Sequence, residues 1–102
     1  MPLQTVAARI RGFICLNAHP AGCAENVRAQ AAVARRGAPG AGMGHALVVG
    51  ASTGYGLASL LSTVFGYGAR AVGVCLERAP QGDKTASAGR YNLAAVGQLA
   101  RQ

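Results

Sequence analysis

Two short apolar runs, residues 46–49 and 71–76, bracket a segment in which Leu57, Leu60, Leu61 and Val64 recur at helical spacing. A continuous apolar run is what a parallel strand covered on both faces needs, and the three-to-four-residue rhythm is that of a helix with one buried stripe. The pattern predicts a strand over 46–49, a helix over 55–64 ended by Gly66 and Gly68, and a second strand over 71–76. Strand, helix and strand in that order make a βαβ unit, whose crossover is expected to be right-handed. Upstream, 9–16 reads as a short extended segment and 17–22, with His19-Pro20, as a turn. A helix is predicted over 24–36, with Val27, Ala31 and Ala34 as its stripe, Glu25 in its first turn and Arg35 and Arg36 at its C-terminal end. Residues 37–44 form a Gly- and Pro-containing linker. Downstream, a polar loop over 78–89 leads to a helix over 91–99, with Leu93, Val96 and Leu99 on one face.

The expected fold class is therefore α/β: a partial Rossmann-like parallel sheet with flanking helices, truncated. Residues 1–44 form a strand-helix segment with its linker, and 45–102 begin a nucleotide-binding domain of βαβα order, incomplete at the C-terminus. A chain of 102 residues suffices for one small domain but is short for a complete nucleotide-dependent enzyme. Composition agrees with a packed core, since 51% of residues are hydrophobic and only 13% charged.

The net charge of +7 raises the possibility of nucleic-acid binding. The basic residues are scattered, however, and few aromatics accompany them as stacking platforms. No nucleic-acid partner is expected, although a basic nucleic-acid-associated protein remains an alternative class. Cys15, Cys23 and Cys75 are too few and odd in number for a disulfide framework, and no signal-peptide pattern opens the chain, so a cytoplasmic location is expected. Cys15, His19 and Cys23 lack a fourth ligand at motif spacing; buried thiols and a local polar contact for His19 account for them better than a metal does. Residues 37–69 carry no Asp, Glu, Lys or Arg, yet Gly50, Gly54 and Gly56 crowd the apolar part beside several hydroxyls, which argues against a membrane span.

The chemistry lies in the turn after the first strand, Gly50-Ala51-Ser52-Thr53-Gly54-Tyr55-Gly56. A pyrophosphate binds backbone N–H groups at a helix N-terminus and tolerates no Cβ in its way. By analogy, Gly50 makes the tight turn, Gly54 admits the phosphates and Gly56 lets the helix pack on the strand. Ser52 and Thr53 add hydroxyls able to donate to phosphate or to cap the helix. The dinucleotide fingerprint calls for an acidic residue about twenty positions on, at the end of the next strand, to hold the ribose hydroxyls. Glu77 stands there. A carboxylate at that place opposes a 2′-phosphate by on the order of 4 kcal/mol for unit charges about 4 Å apart at an effective dielectric near 20. NADH is thus expected to be preferred over NADPH, with Arg78 as a group that could soften the difference.

Several separated motifs carry a family resemblance. Residues 9–15 (Arg-Ile-Arg-Gly-Phe-Ile-Cys), Ala18-His19-Pro20, Gly22-Cys23, Asn26-Val27, the run 50–59 and Gly89 with Tyr91-Asn92 resemble the N-terminal region of FabV-type trans-2-enoyl-CoA (enoyl-[acyl-carrier-protein]) reductases. The resemblance implies an NADH-dependent enzyme of bacterial fatty-acid synthesis, related to short-chain dehydrogenases and monomeric when complete, that reduces the C2–C3 double bond of an enoyl-CoA or enoyl-ACP thioester. It also implies that Gly50, Ala51, Ser52, Thr53, Gly54, Tyr55, Leu76 and Glu77 contact NAD. The family's catalytic Tyr-x8-Lys pair is not matched: Tyr55, Tyr67 and Tyr91 have no lysine at that spacing, and Lys84 is the only lysine. No catalytic residue is therefore assigned, and the chain in isolation is expected to be inactive. A stand-alone nucleotide-binding module without catalysis is the alternative reading.

Overall fold

The computed structural model describes residues 8–11, 14, 15, 17–37, 43–82 and 85–101. The central linker positions 38–42 and Lys84 lie outside them. The expected extended segment near the N-terminus consists of two short strands, β1 (Ile10–Arg11) and β2 (Ile14–Cys15), paired antiparallel. The two apolar runs form β3 (His45–Val49) and β4 (Arg70–Val74), paired in parallel with Ala46 opposite Ala71 and Val49 opposite Val74. Parallel neighbours need a crossover, and α2 (Gly54–Leu61), extended by a π-helical turn at Ser62–Gly66, supplies it. α1 (Pro20–Arg36) precedes the sheet and α3 (Ala88–Ala100) follows it.

Both outer helices begin earlier than their apolar stripes suggest. His19 caps α1: its Nδ1 accepts from the Gly22 N–H at 2.9 Å, and Pro20 stands in the first turn, where its missing N–H costs nothing. The second half of the predicted 17–22 turn is thus the first turn of the helix. Glu25 consequently lies beyond that turn and pairs instead with Arg28 at 2.8 Å. α3 starts at Ala88 rather than 91, which brings Gly89 into its first turn.

The core is formed by Val27 and Ala31 of α1, Leu57, Leu60 and Leu61 of α2, Val96 of α3 and Ala51 of the turn. Only one face of the sheet meets it. Ala46, Val48 and Ala71 are partly buried, and a Cβ on Gly73 would lie 2.9 Å from the Ala51 methyl, so these residues point to the helices. The alternate residues point away: Leu47, Val49, Val72 and Val74 are 67%, 75%, 62% and 47% exposed. Among the described residues, the helix-side core reaches only one face of the sheet, and the apolar side chains of the other face are exposed.

Candidate dinucleotide site

The turn joining β3 to α2 is latched to the end of β4. Gly50, at φ +75°, donates its N–H to the Val74 carbonyl at 2.7 Å, and Ala51 donates to the same oxygen at 3.3 Å. Gly50 thus turns the chain in a left-handed conformation that other residues adopt only at a cost. Gly56 packs directly under it: a Cβ there would overlap the Gly50 carbonyl oxygen and lie 3.2 Å from the Ala51 nitrogen. At Gly56, helix and turn meet backbone to backbone. Gly54, at φ +56°, opens α2, and a Cβ there would meet nothing within 4 Å. The mouth of the helix is therefore open where its first-turn N–H groups, which have no intrahelical acceptor, point outward. Thr53 is the cap residue, exposed and with no side-chain capping bond, so its hydroxyl is placed beside that mouth. Tyr55 stands almost fully in solvent on the first turn of the helix.

Glu77 lies three residues beyond the end of β4 and is half-buried, after an exposed Leu76. Its carboxylate is held on both oxygens: the Ser52 hydroxyl donates to Oε1 and the Ser87 hydroxyl to Oε2. Ser52 is buried within the glycine turn, so its hydroxyl ties the turn to Glu77 and is not the free phosphate donor or helix cap the motif suggests. α3 braces the same point. The buried Asn92 side-chain amide donates to the Ser52 carbonyl at 2.9 Å. A Cβ on Gly89 would overlap the Glu77 carboxylate and lie 2.6 Å from Ser52 Cβ. Tyr91 closes the approach to the helix, its hydroxyl accepting from the Ala86 N–H at 3.0 Å. Spacing arguments alone assign no role to Ser87, Gly89 or Asn92; the Gly89 and Tyr91-Asn92 signature is the signal that could have pointed to them.

The remaining candidates lie elsewhere. His19 makes the local contact already described, and Cys23 is half-buried on α1, where desolvation pushes its thiol pKa up. Among the described residues, no three His, Cys, Asp or Glu side chains come together as metal ligands, and no helix is long and apolar enough to cross a membrane.

The open glycine turn, braced by a carboxylate after the next strand, is the arrangement a dinucleotide site requires. Residues 5–82 match the family model described as the NAD(P)H binding domain of trans-2-enoyl-CoA reductase. The chain belongs to this family. Relatives of this chain include an enoyl-[acyl-carrier-protein] reductase [NADH] of Pseudoalteromonas atlantica, 52% identical over 100 residues, which span 97% of this chain and 25% of the relative. One of the same description from Burkholderia mallei is 55% identical over 91 residues, or 88% of this chain and 23% of the relative. Among solved structures, trans-2-enoyl-CoA reductase of Treponema denticola in complex with NAD superposes with a TM-score of 0.85 at 38% identity, covering 96% of this chain and 26% of that one. The Clostridium acetobutulicum trans-2-enoyl-CoA reductase in complex with NADH gives 0.87 at 32% identity, covering 96% and 25%. The chain thus spans about a quarter of the length of the relatives it matches. Its two parallel strands with flanking helices are the opening of their Rossmann-like fold.

Proposed function

We propose that this chain is the adenosine- and pyrophosphate-binding part of an NADH-dependent reductase acting on the C2–C3 double bond of trans-2-enoyl-CoA or enoyl-ACP thioesters in fatty-acid synthesis. In this reading residues 45–102 begin the nucleotide-binding domain and 1–44 form the strand-helix segment leading into it. The observation that carries it is the open N-terminus of α2 at Gly54, beside a carboxylate with acceptor capacity to spare. Gly54 and Tyr55 offer first-turn N–H groups to the pyrophosphate, and Thr53 adds its exposed hydroxyl. Gly50, Ala51 and Ser52 shape the turn from behind, their own polar groups being engaged with Val74 and Glu77. Leu76 and Glu77 face the adenosine, and the fully exposed Leu76 side chain has an apolar surface to offer the base.

The residues present fit the cofactor. When bound, NADH supplies the hydride for reduction of the enoyl thioester. What this chain contributes is binding and orientation, because the Tyr-x8-Lys pair that the resemblance calls for is not among its residues. The domain alone is therefore expected to bind NADH without turnover, and the complete reductase is expected to be a cytoplasmic monomer. Titration of the chain with NADH, followed by nicotinamide fluorescence, tests the reading. Gly54→Val, which places a β-branched side chain at a positive φ in the mouth of the site, is expected to reduce affinity at least tenfold. Equal affinity in the two proteins would overturn the assignment.

A further inference from the structure

Ser87 occupies the N-cap position of α3, where a serine hydroxyl ordinarily accepts from an N–H of its own helix. Here it makes no such bond. Its Oγ accepts instead from the Arg78 N–H at 2.8 Å, and of the two acceptors its single hydrogen can reach, Glu77 Oε2 lies far closer than the Arg78 carbonyl at 3.5 Å. The Ser87 N–H in turn donates to the Arg78 carbonyl at 3.1 Å, so the segments around 78 and 87 are tied at the neck of the intervening loop. A hydroxyl that has surrendered its capping role, and whose acceptor side is filled by a backbone N–H, has its orientation set: the hydrogen goes to the carboxylate.

We infer that Ser87 is a positioning residue for cofactor selection, resting on the dinucleotide reading above. An ionised carboxylate has about four lone-pair sites on two oxygens. Ser52 and Ser87 occupy one on each, which leaves one on each for the two ribose hydroxyls of an adenosine. The same two bonds prevent the carboxylate from turning aside for a 2′-phosphate, and the absence of a Cβ at Gly89 provides the space in which it is held. Discrimination between NADH and NADPH therefore depends on the immobility of the Glu77 charge as well as on its presence. Ser52 shares the task but lies inside the glycine turn, whereas Ser87 reaches the carboxylate from outside that turn, its other bonds being to the Arg78 backbone.

Dissociation constants of the full chain for NADH and for NADPH, in wild type, Ser87→Ala and Ser87→Thr, test the inference. Wild type is expected to prefer NADH. Ser87→Ala frees one carboxylate oxygen from a charge-assisted bond, and the preference is expected to shrink about tenfold. Ser87→Thr keeps the hydroxyl and is expected to restore it. Ser87→Cys retains the volume with a weaker donor, gives an intermediate ratio, and serves if the alanine variant does not fold. An unchanged ratio in Ser87→Ala and Ser87→Cys, even with both affinities lowered together, would mean a structural role only and overturn the inference. A wild type that binds NADH and NADPH equally overturns it while leaving the dinucleotide site in place; one that binds neither overturns the site and the inference with it.

Discussion

Gly89 and Gly97 lie on the same helix, yet the same substitution is expected to move stability in opposite directions. In a helix interior, alanine is favoured over glycine by roughly 1 kcal/mol because the unfolded chain loses less freedom. At Gly97 a Cβ would meet only the end of Arg101, 3.8 Å away, so Gly97→Ala is expected to stabilise by about 0.5–1 kcal/mol. At Gly89 the Cβ would run into a held carboxylate and the buried Ser52, and overpacking of this kind costs about 1–3 kcal/mol. Gly89→Ala is therefore expected to be destabilising, and urea unfolding of the two variants decides the signs. Asn92→Ala belongs with it. Removing the buried amide leaves the Ser52 carbonyl without its donor, for an expected loss of about 1–3 kcal/mol in the same assay. The glycine turn and Glu77 were legible in the sequence because a strand followed by close-set glycines and a later acidic residue is a local pattern. The serine and asparagine that hold them were not, since Ser87, ten residues past Glu77, and Asn92, forty past Ser52, act through bonds that no periodicity encodes.

Elements were legible as far as their apolar stripes ran and no further. α1 carries its stripe from Val27 onward, but its start is set by a side chain, His19, whose capping role has no hydrophobic signature. His19→Ala is expected to cost about 0.5–1 kcal/mol, the lower part of the range for lost caps because the site is exposed, and His19→Asn is expected to recover most of it. Thermal unfolding of the three proteins measures this. The same helix buries Cys23 part-way, and desolvation raises its thiol pKa, whereas Cys75 is exposed just past β4. The thiolate is the reactive form, so iodoacetamide near pH 8 is expected to label Cys75 faster than Cys23, with the difference vanishing in urea. Peptide mapping by mass separates the two. Because the folded thiol has the higher pKa, the unfolded chain ionises first: the contribution is present in full at neutral pH and is lost as pH rises through the alkaline range.

At the scale of the whole molecule, the open face of the sheet dominates. Leu47, Val49, Val72 and Val74 stand side by side across the β3–β4 pair, and the continuous apolar runs that suggested a fully covered sheet are satisfied on the helix side only. The radius of gyration, 14.6 Å, exceeds the roughly 13 Å expected of a compact domain of about 100 residues. Two strands leave two edges, and a contiguous apolar surface beside unpaired edges favours contact with another chain. The isolated chain is therefore expected to associate with rising concentration and to bind an apolar dye. Leu47 and Val72 are register partners, so Leu47→Lys with Val72→Glu places opposite charges next to each other and removes the apolar centre without leaving either charge unmatched. The double variant is expected to sediment as a monomer and to lose dye binding, while its helical circular dichroism is preserved because the helices pack on the other face. A wild type that stays monomeric at every concentration would show that this face needs no cover.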